Sequence, residues 1–126
     1  MRAVDTSVLV RLLIRDDADQ VMRAEAFVEA GAWVSHLVLA EAVWVLGSAY
    51  GMDRGRIGTL VEMLLAHGRL VIQDPDVVRA ALDDFRARRS IGFADCLIVR
   101  IARKAGHRPT GTLDRAMSRL PDAIAL

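Results

Sequence analysis

Apolar residues recur along the chain in two rhythms. Short clusters such as Ala3-Val4, Trp33-Val34 and Leu70-Val71-Ile72 are too brief for helices and read as buried strands. Between them, Val8, Leu9, Leu12 and Leu13 recur at helical spacing, as do Val77, Val78, Ala81, Leu82 and Phe85, and later Leu97, Ile98, Ile101 and Ala102. The pattern predicts a strand over Arg2–Val4, a helix from Asp5 to Arg15, and a second helix from about Gln20 to Ala30. A strand at Trp33–Ser35 follows, then helices over Leu37–Tyr50 and Arg54–Ala66 and a strand at Leu70–Ile72. Helices over Pro75–Arg88 and Phe93–Ala105, a strand end at His107–Thr110, a short helix over Asp114–Arg119 and a strand at Ala123–Ala125 complete the order.

The punctuation agrees with these rhythms. Asp5, the Asp16-Asp17-Ala18-Asp19 cluster, Asp53 and Asp74 stand where helices begin, and carboxylates there can accept the unpaired first-turn amides. Gly31, Gly51, Gly68 and Gly106 stand where helices stop, and Pro75 occupies a first helical position, where its missing amide hydrogen costs nothing. Strands separated by helices imply crossover connections, and therefore an α/β fold of three layers: a central, mainly parallel sheet flanked by helices and covered on both faces. At 126 residues the chain fits one domain over 1–126.

Composition narrows the class without naming a function. Hydrophobic residues make up 53% of the chain and charged residues 26%, enough apolar material for a core and too little polarity for disorder. Seventeen basic residues against sixteen acidic leave a formal charge of +1, so no bulk field points to nucleic acid or membrane. The apolar stretch from Gly31 to Met52 carries Glu41 near its middle and several Gly and Ser residues, which argues against a membrane span. A single cysteine, Cys96, excludes a disulfide framework, and with no leader pattern the expected compartment is the cytoplasm.

Ligands of open parallel sheets bind beyond the carboxyl ends of the strands, so acids just after strands come first. Asp5 ends the first strand, and Asp114 follows the strand-like approach from His107. Glu41 and Asp95 stand in apolar helices where a surface carboxylate is out of place, and both are expected to point inward. Carboxylates forced together repel, and a divalent cation keeps such a cluster ionised; oxygen-only ligands suit Mg²⁺ or Mn²⁺, whose chemistry fits phosphodiester hydrolysis. Each acid also has a plain structural reading. Asp5 or Ser7 can cap the first helix, Glu41 can pair with Arg100, Asp95 can sit early in a helix because of the macrodipole, and Asp114 can cap the last helix.

Four segments taken together bear a resemblance. Val4-Asp5-Thr6-Ser7-Val8-Leu9, the run from Ser35 through Glu41 to Leu46, Gly92-Phe93-Ala94-Asp95-Cys96-Leu97-Ile98 and Thr112-Leu113-Asp114-Arg115-Ala116 are similar, in order, to the signature segments of PIN-domain ribonucleases. Size and the Trp44-containing second segment most resemble the VapC toxins of bacterial type II toxin–antitoxin modules. The resemblance implies that Asp5, Glu41, Asp95 and Asp114 form an acidic quartet around Mg²⁺ or Mn²⁺, with Ser7 and Thr112 as polar neighbours. It further implies metal-dependent endoribonuclease cleavage of RNA, a cognate antitoxin that covers the site, and a homodimer. Asp5 and Asp95 would be the principal anchors, and Glu41 would hold a second ion or orient the attacking water. Ser7 stands where asparagine is frequent, Cys96 where alanine is frequent, and Leu113 where an aromatic residue often precedes the fourth acid. That fourth position varies in the family.

Other features take smaller roles. Arg86, Arg88 and Arg89 form the densest basic cluster and are candidates for RNA phosphate contact, against the plainer reading of a solvated helix end. His36 and His107 read as structural, Cys96 as a small buried hydrophobe, and Asp83 and Asp84 as a solvated face. Trp33 and Trp44 are expected in core or dimer packing. An aspartyl-phosphate hydrolase would need a second acid where Ser7 stands and a lysine at a strand end, whereas Lys104, the only lysine, lies within a helix. The rival outside enzymology is a catalytically inactive PIN-fold module that binds RNA or protein without turnover.

Overall fold

A computed structural model describes all residues, 1–126. The chain divides into two compact units, Met1–Gln73 and Asp74–Leu126.

The first unit runs β1 (Arg2–Ala3), α1 (Thr6–Leu13), α2 (Ala18–Val28), β2 (Ala32–Val34), α3 (His36–Ser48), α4 (Arg54–Ala66) and β3 (Leu70–Ile72). Its three strands form a parallel sheet in the order β1-β2-β3, with Ala3 opposite Trp33 and Trp33 opposite Val71. Parallel neighbours need long crossovers, and each pair of intervening helices supplies one. Three of these helices start where the sequence places a cap: Asp5, Asp17 and Asp53 accept the amides of Val8, Gln20 and Arg56. The fourth, α3, is capped by Ser35, which the pattern reads as the end of a strand and which accepts the Val38 amide. Gly31 closes the α2 end at φ 91°, a left-handed conformation costly for any other residue, and its amide bonds the Val28 carbonyl.

The second unit runs α5 (Pro75–Ala87), α6 (Phe93–Lys104), β4 (Thr110–Thr112), a 3₁₀ turn (Met117–Arg119) and β5 (Ala123–Ala125). β4 and β5 pair in parallel as a separate two-stranded sheet. α5 packs on α6 and buries Val77, Val78, Ala81, Leu82 and Phe85, and the Phe85 ring meets Phe93 edge-on with centroids 5.7 Å apart. Six helices and a parallel sheet of three strands agree with the expected α/β class.

Several details differ from the sequence pattern. α1 stops at Leu13 because Ile14 turns to extended backbone, which frees Arg11 to bond Asp16 and Arg15 to bond Glu25 at 2.5 Å. Asp74 precedes Pro75 as expected, yet it is left-handed (φ 39°) and its carboxylate takes the Lys104 ammonium instead of capping α5. The last helix shrinks to three residues of 3₁₀ turn ahead of Pro121. On α6 the inward side is Phe93, Cys96, Leu97 and Val99, whereas Ile98 and Ile101 reach solvent. The sheet of the first unit is covered less evenly than a two-face burial requires: Ala32, Val34, Leu70 and Ile72 are buried, but the paired Trp33 and Val71 are 37% and 48% exposed.

Candidate functional site

The first unit gathers two of the candidate acids in one groove. β1 ends at Ala3, Val4 is buried, and the chain turns at Asp5 into α1. There the Ser7 hydroxyl donates to Asp5 Oδ1 at 2.6 Å and the Val8 amide donates to the same oxygen at 3.0 Å. The Ser7 hydrogen bond, followed by that amide, holds the Asp5 carboxyl below its ordinary value. Asp5 therefore does cap the helix, and its capping bond falls on Oδ1.

Glu41 stands midway along α3 and is exposed. The expectation that it points inward is corrected here, and the reason is the helix itself. α3 is apolar on nearly every side, so periodicity does not mark its wet face; Leu37, one turn before Glu41, is 69% exposed, and Trp44, one turn after, is 71% exposed. Core packing of Trp44 is likewise excluded. Glu41 does not pair with Arg100, which instead grips Asp84 through two bonds of 2.7 and 3.0 Å. That pair is largely buried, at 22% and 13% side-chain exposure, so Asp84 is no solvated residue as the sequence suggested. The partner of Glu41 is Thr6, whose hydroxyl donates to Oε2 at 3.0 Å. Asp5, Thr6, Ser7 and Glu41 line one groove of about 1000 Å³, together with Arg11 and Phe27.

The second unit holds the other two acids. Asp95 lies in the first turn of α6 and is half-buried. Burial, and then repulsion from the Asp114 carboxylate, push its carboxyl above the ordinary value. Asp114 follows β4, and its backbone amide donates to the Thr112 hydroxyl at 3.0 Å, which fixes the turn. Its Oδ1 accepts the amides of Ala116 (2.8 Å) and Met117 (3.2 Å). Like Asp5, Asp114 spends one oxygen on a helical turn.

The acids thus come in pairs, and no group of three or more His, Cys, Asp or Glu side chains is gathered to hold a metal ion. A pair of carboxylates still suits Mg²⁺ or Mn²⁺, because Mg²⁺ usually takes one or two carboxylates and fills its remaining positions with water and substrate oxygens. The donor set is all oxygen, and the Asp95–Asp114 repulsion is of the kind a cation relieves.

The remaining candidates are plainer. Arg86 is in the last turn of α5, Arg88 caps it and Arg89 lies beyond; all three are exposed. His36 is buried with Nε2 unpartnered and its amide on the Gln73 side chain, and His107 is exposed. Cys96 is fully buried, as expected. Thr6 is the residue the sequence reading missed. Its signal was its place between Asp5 and Ser7 at the first position of a helix whose cap Asp5 already provides.

No helix is long and apolar enough to cross a membrane. The sequence pattern of the PIN domain matches residues 2–123 and so spans both units. No curated protein and no solved structure matches the chain. A match over nearly the whole length places this chain in the PIN domain family, whose members are generally metal-dependent nucleases.

Proposed function

We propose that this chain is a Mg²⁺- or Mn²⁺-dependent endoribonuclease, a single PIN domain that acts in the cytoplasm as the toxin of a type II toxin–antitoxin module. The observation that carries the reading is Asp95, a half-buried carboxyl raised by burial and by Asp114, in a chain whose family generally works with divalent metals. Similarity of the four acidic segments to the VapC toxins supports the finer assignment.

Asp5, Glu41, Asp95 and Asp114 are the residues assigned to the metal chemistry. A bound divalent ion supplies Lewis-acid polarisation of the phosphoryl group and neutralises the charge that develops on it. Asp5 and Asp95 would be the principal anchors of the ion, with the Asp5 carboxylate fixed in place by Ser7 and Val8. Glu41 orients the attacking water with Oε1, since Oε2 is taken by Thr6. Thr112 holds the Asp114 backbone. Arg86, Arg88 and Arg89 grip the RNA phosphates outside the reacting group. The exposed Leu37 and Trp44, on either side of Glu41, support a surface that a cognate antitoxin or a second copy in a homodimer covers.

The test is incubation of purified protein and its Asp95→Asn variant with total bacterial RNA in Mg²⁺, Mn²⁺ or EDTA, beside induced expression of both in bacteria. Discrete fragments and growth arrest that need both the metal and Asp95 are expected. RNA bound but uncut in excess Mn²⁺ would favour the inactive binding module.

A further inference from the structure

Thr6 is the first residue of α1, and α1 packs directly on α3, which carries Glu41. Within a helix a threonine hydroxyl ordinarily bonds the carbonyl three or four residues back. At the first position those residues belong to β1, outside the helix, and the Asp5 carboxylate already caps α1. The Thr6 hydroxyl is therefore released from local duty, and its single proton goes to Glu41 Oε2 at 3.0 Å, across thirty-five residues of sequence. β-Branching restricts the Thr6 rotamer, so the donor has a defined direction. Glu41, by contrast, is exposed on a long, flexible side chain, and this is the hydrogen bond that ties its carboxylate down.

We infer that Thr6 is the positioning residue of Glu41: the hydroxyl fixes one carboxylate oxygen so that the other faces the groove in a single orientation. The inference rests on the proposed role of Glu41 in the metal chemistry. A donor that orients a ligating or water-orienting carboxylate contributes about 10–100-fold in metal affinity or activity in comparable sites.

The experiment compares full-length wild type with Thr6→Val, which keeps the shape and loses the donor, Thr6→Ser, which keeps the donor, Glu41→Gln, and the Thr6→Val/Glu41→Gln double variant. Mn²⁺ affinity is measured by calorimetry without RNA, and kcat and KM are measured on one RNA. Thr6→Val is expected to weaken Mn²⁺ binding or lower kcat by about 10-fold or more, with KM for RNA and the melting temperature unchanged, and Thr6→Ser should restore both. In the Glu41→Gln background Thr6→Val should add nothing, because the hydroxyl acts only through that carboxylate. Additive losses in the double variant, or full activity and Mn²⁺ affinity in Thr6→Val while Glu41→Gln loses them, overturn the positioning role alone. If Glu41→Gln itself changes neither quantity, the role of Glu41 and the inference built on it both fall.

Discussion

Asp5 and Asp95 are the same side chain at the start of a helix in each of the two units, and their surroundings push them in opposite directions. Asp5 is exposed, receives two donors on one oxygen and is held below the ordinary carboxyl range. Asp95 is half-buried, faces the charge of Asp114 and is held above it. Hydrogen bonds stabilise the charged form of the first, whereas desolvation and repulsion penalise the charged form of the second. An acid proposed to bind metal can thus be prepared in two ways, by fixing its geometry in advance or by leaving it short of a positive partner.

The comparison breaks most visibly in activity. If both acids serve the metal chemistry, Asp5→Asn and Asp95→Asn should each lower metal-dependent RNA cleavage by about 1000-fold or more while the fold survives, as judged by circular dichroism. Near-normal cleavage by either variant would remove that residue from the site.

Next in size is an effect on stability alone. Arg100→Met strands the largely buried Asp84 carboxylate and should cost roughly 1–3 kcal/mol in urea unfolding, less than for a fully buried pair because both partners keep some exposure. Mn²⁺ affinity should not change. A loss of affinity would mean that Arg100 does more than hold α5 against α6.

Smaller again is the response to pH. If Asp95 holds the ion as proposed, Mn²⁺ affinity should fall on acidification at a higher pH than for an ordinary aspartate, and Asp114→Asn should move that fall to lower pH by removing the repulsion. Asp5 stays ionised through the same window, because its value is lowered.

The finest distinction is in the metal-free protein at neutral pH. The Asp95 carboxyl is raised in the folded state, so its penalty is absent at pH below the unfolded value and fully present once pH has risen through the folded one. Asp95→Asn should therefore raise the melting temperature slightly. The Asp5 carboxyl is lowered, so its contribution is present above the unfolded value and lost as pH falls through the folded one; Asp5→Asn should lower the melting temperature slightly. Shifts of the same sign in differential scanning calorimetry would erase the contrast between the two acids.

Legibility in the sequence followed the same division. Caps at Asp5, Asp17 and Asp53 and the stop at Gly31 were readable because they depend on residues adjacent in the chain, whereas the cap at Ser35 was hidden by the apolar strand it follows. The strands at Leu70–Ile72 and Ala123–Ala125 were readable from short apolar runs between turn residues. What escaped depends on partners distant in sequence. Nothing near Asp84 announces Arg100, and nothing near Asp74 announces that Lys104 will draw its carboxylate away from capping. The outward face of α3 was hidden because Leu37 and Trp44 look like core residues, and Thr6 was hidden because its partner lies on another helix. The acids themselves stood out, being charges in apolar surroundings or at strand ends.

The most direct test is a calorimetric titration of Mn²⁺ into the full-length metal-free protein, repeated for Asp5→Asn and Asp95→Asn. Saturable binding by the wild type that is lost in both variants is the predicted result. No binding by well-folded wild type, or undiminished binding by either variant, would contradict the claim that acids of both units serve divalent-metal chemistry.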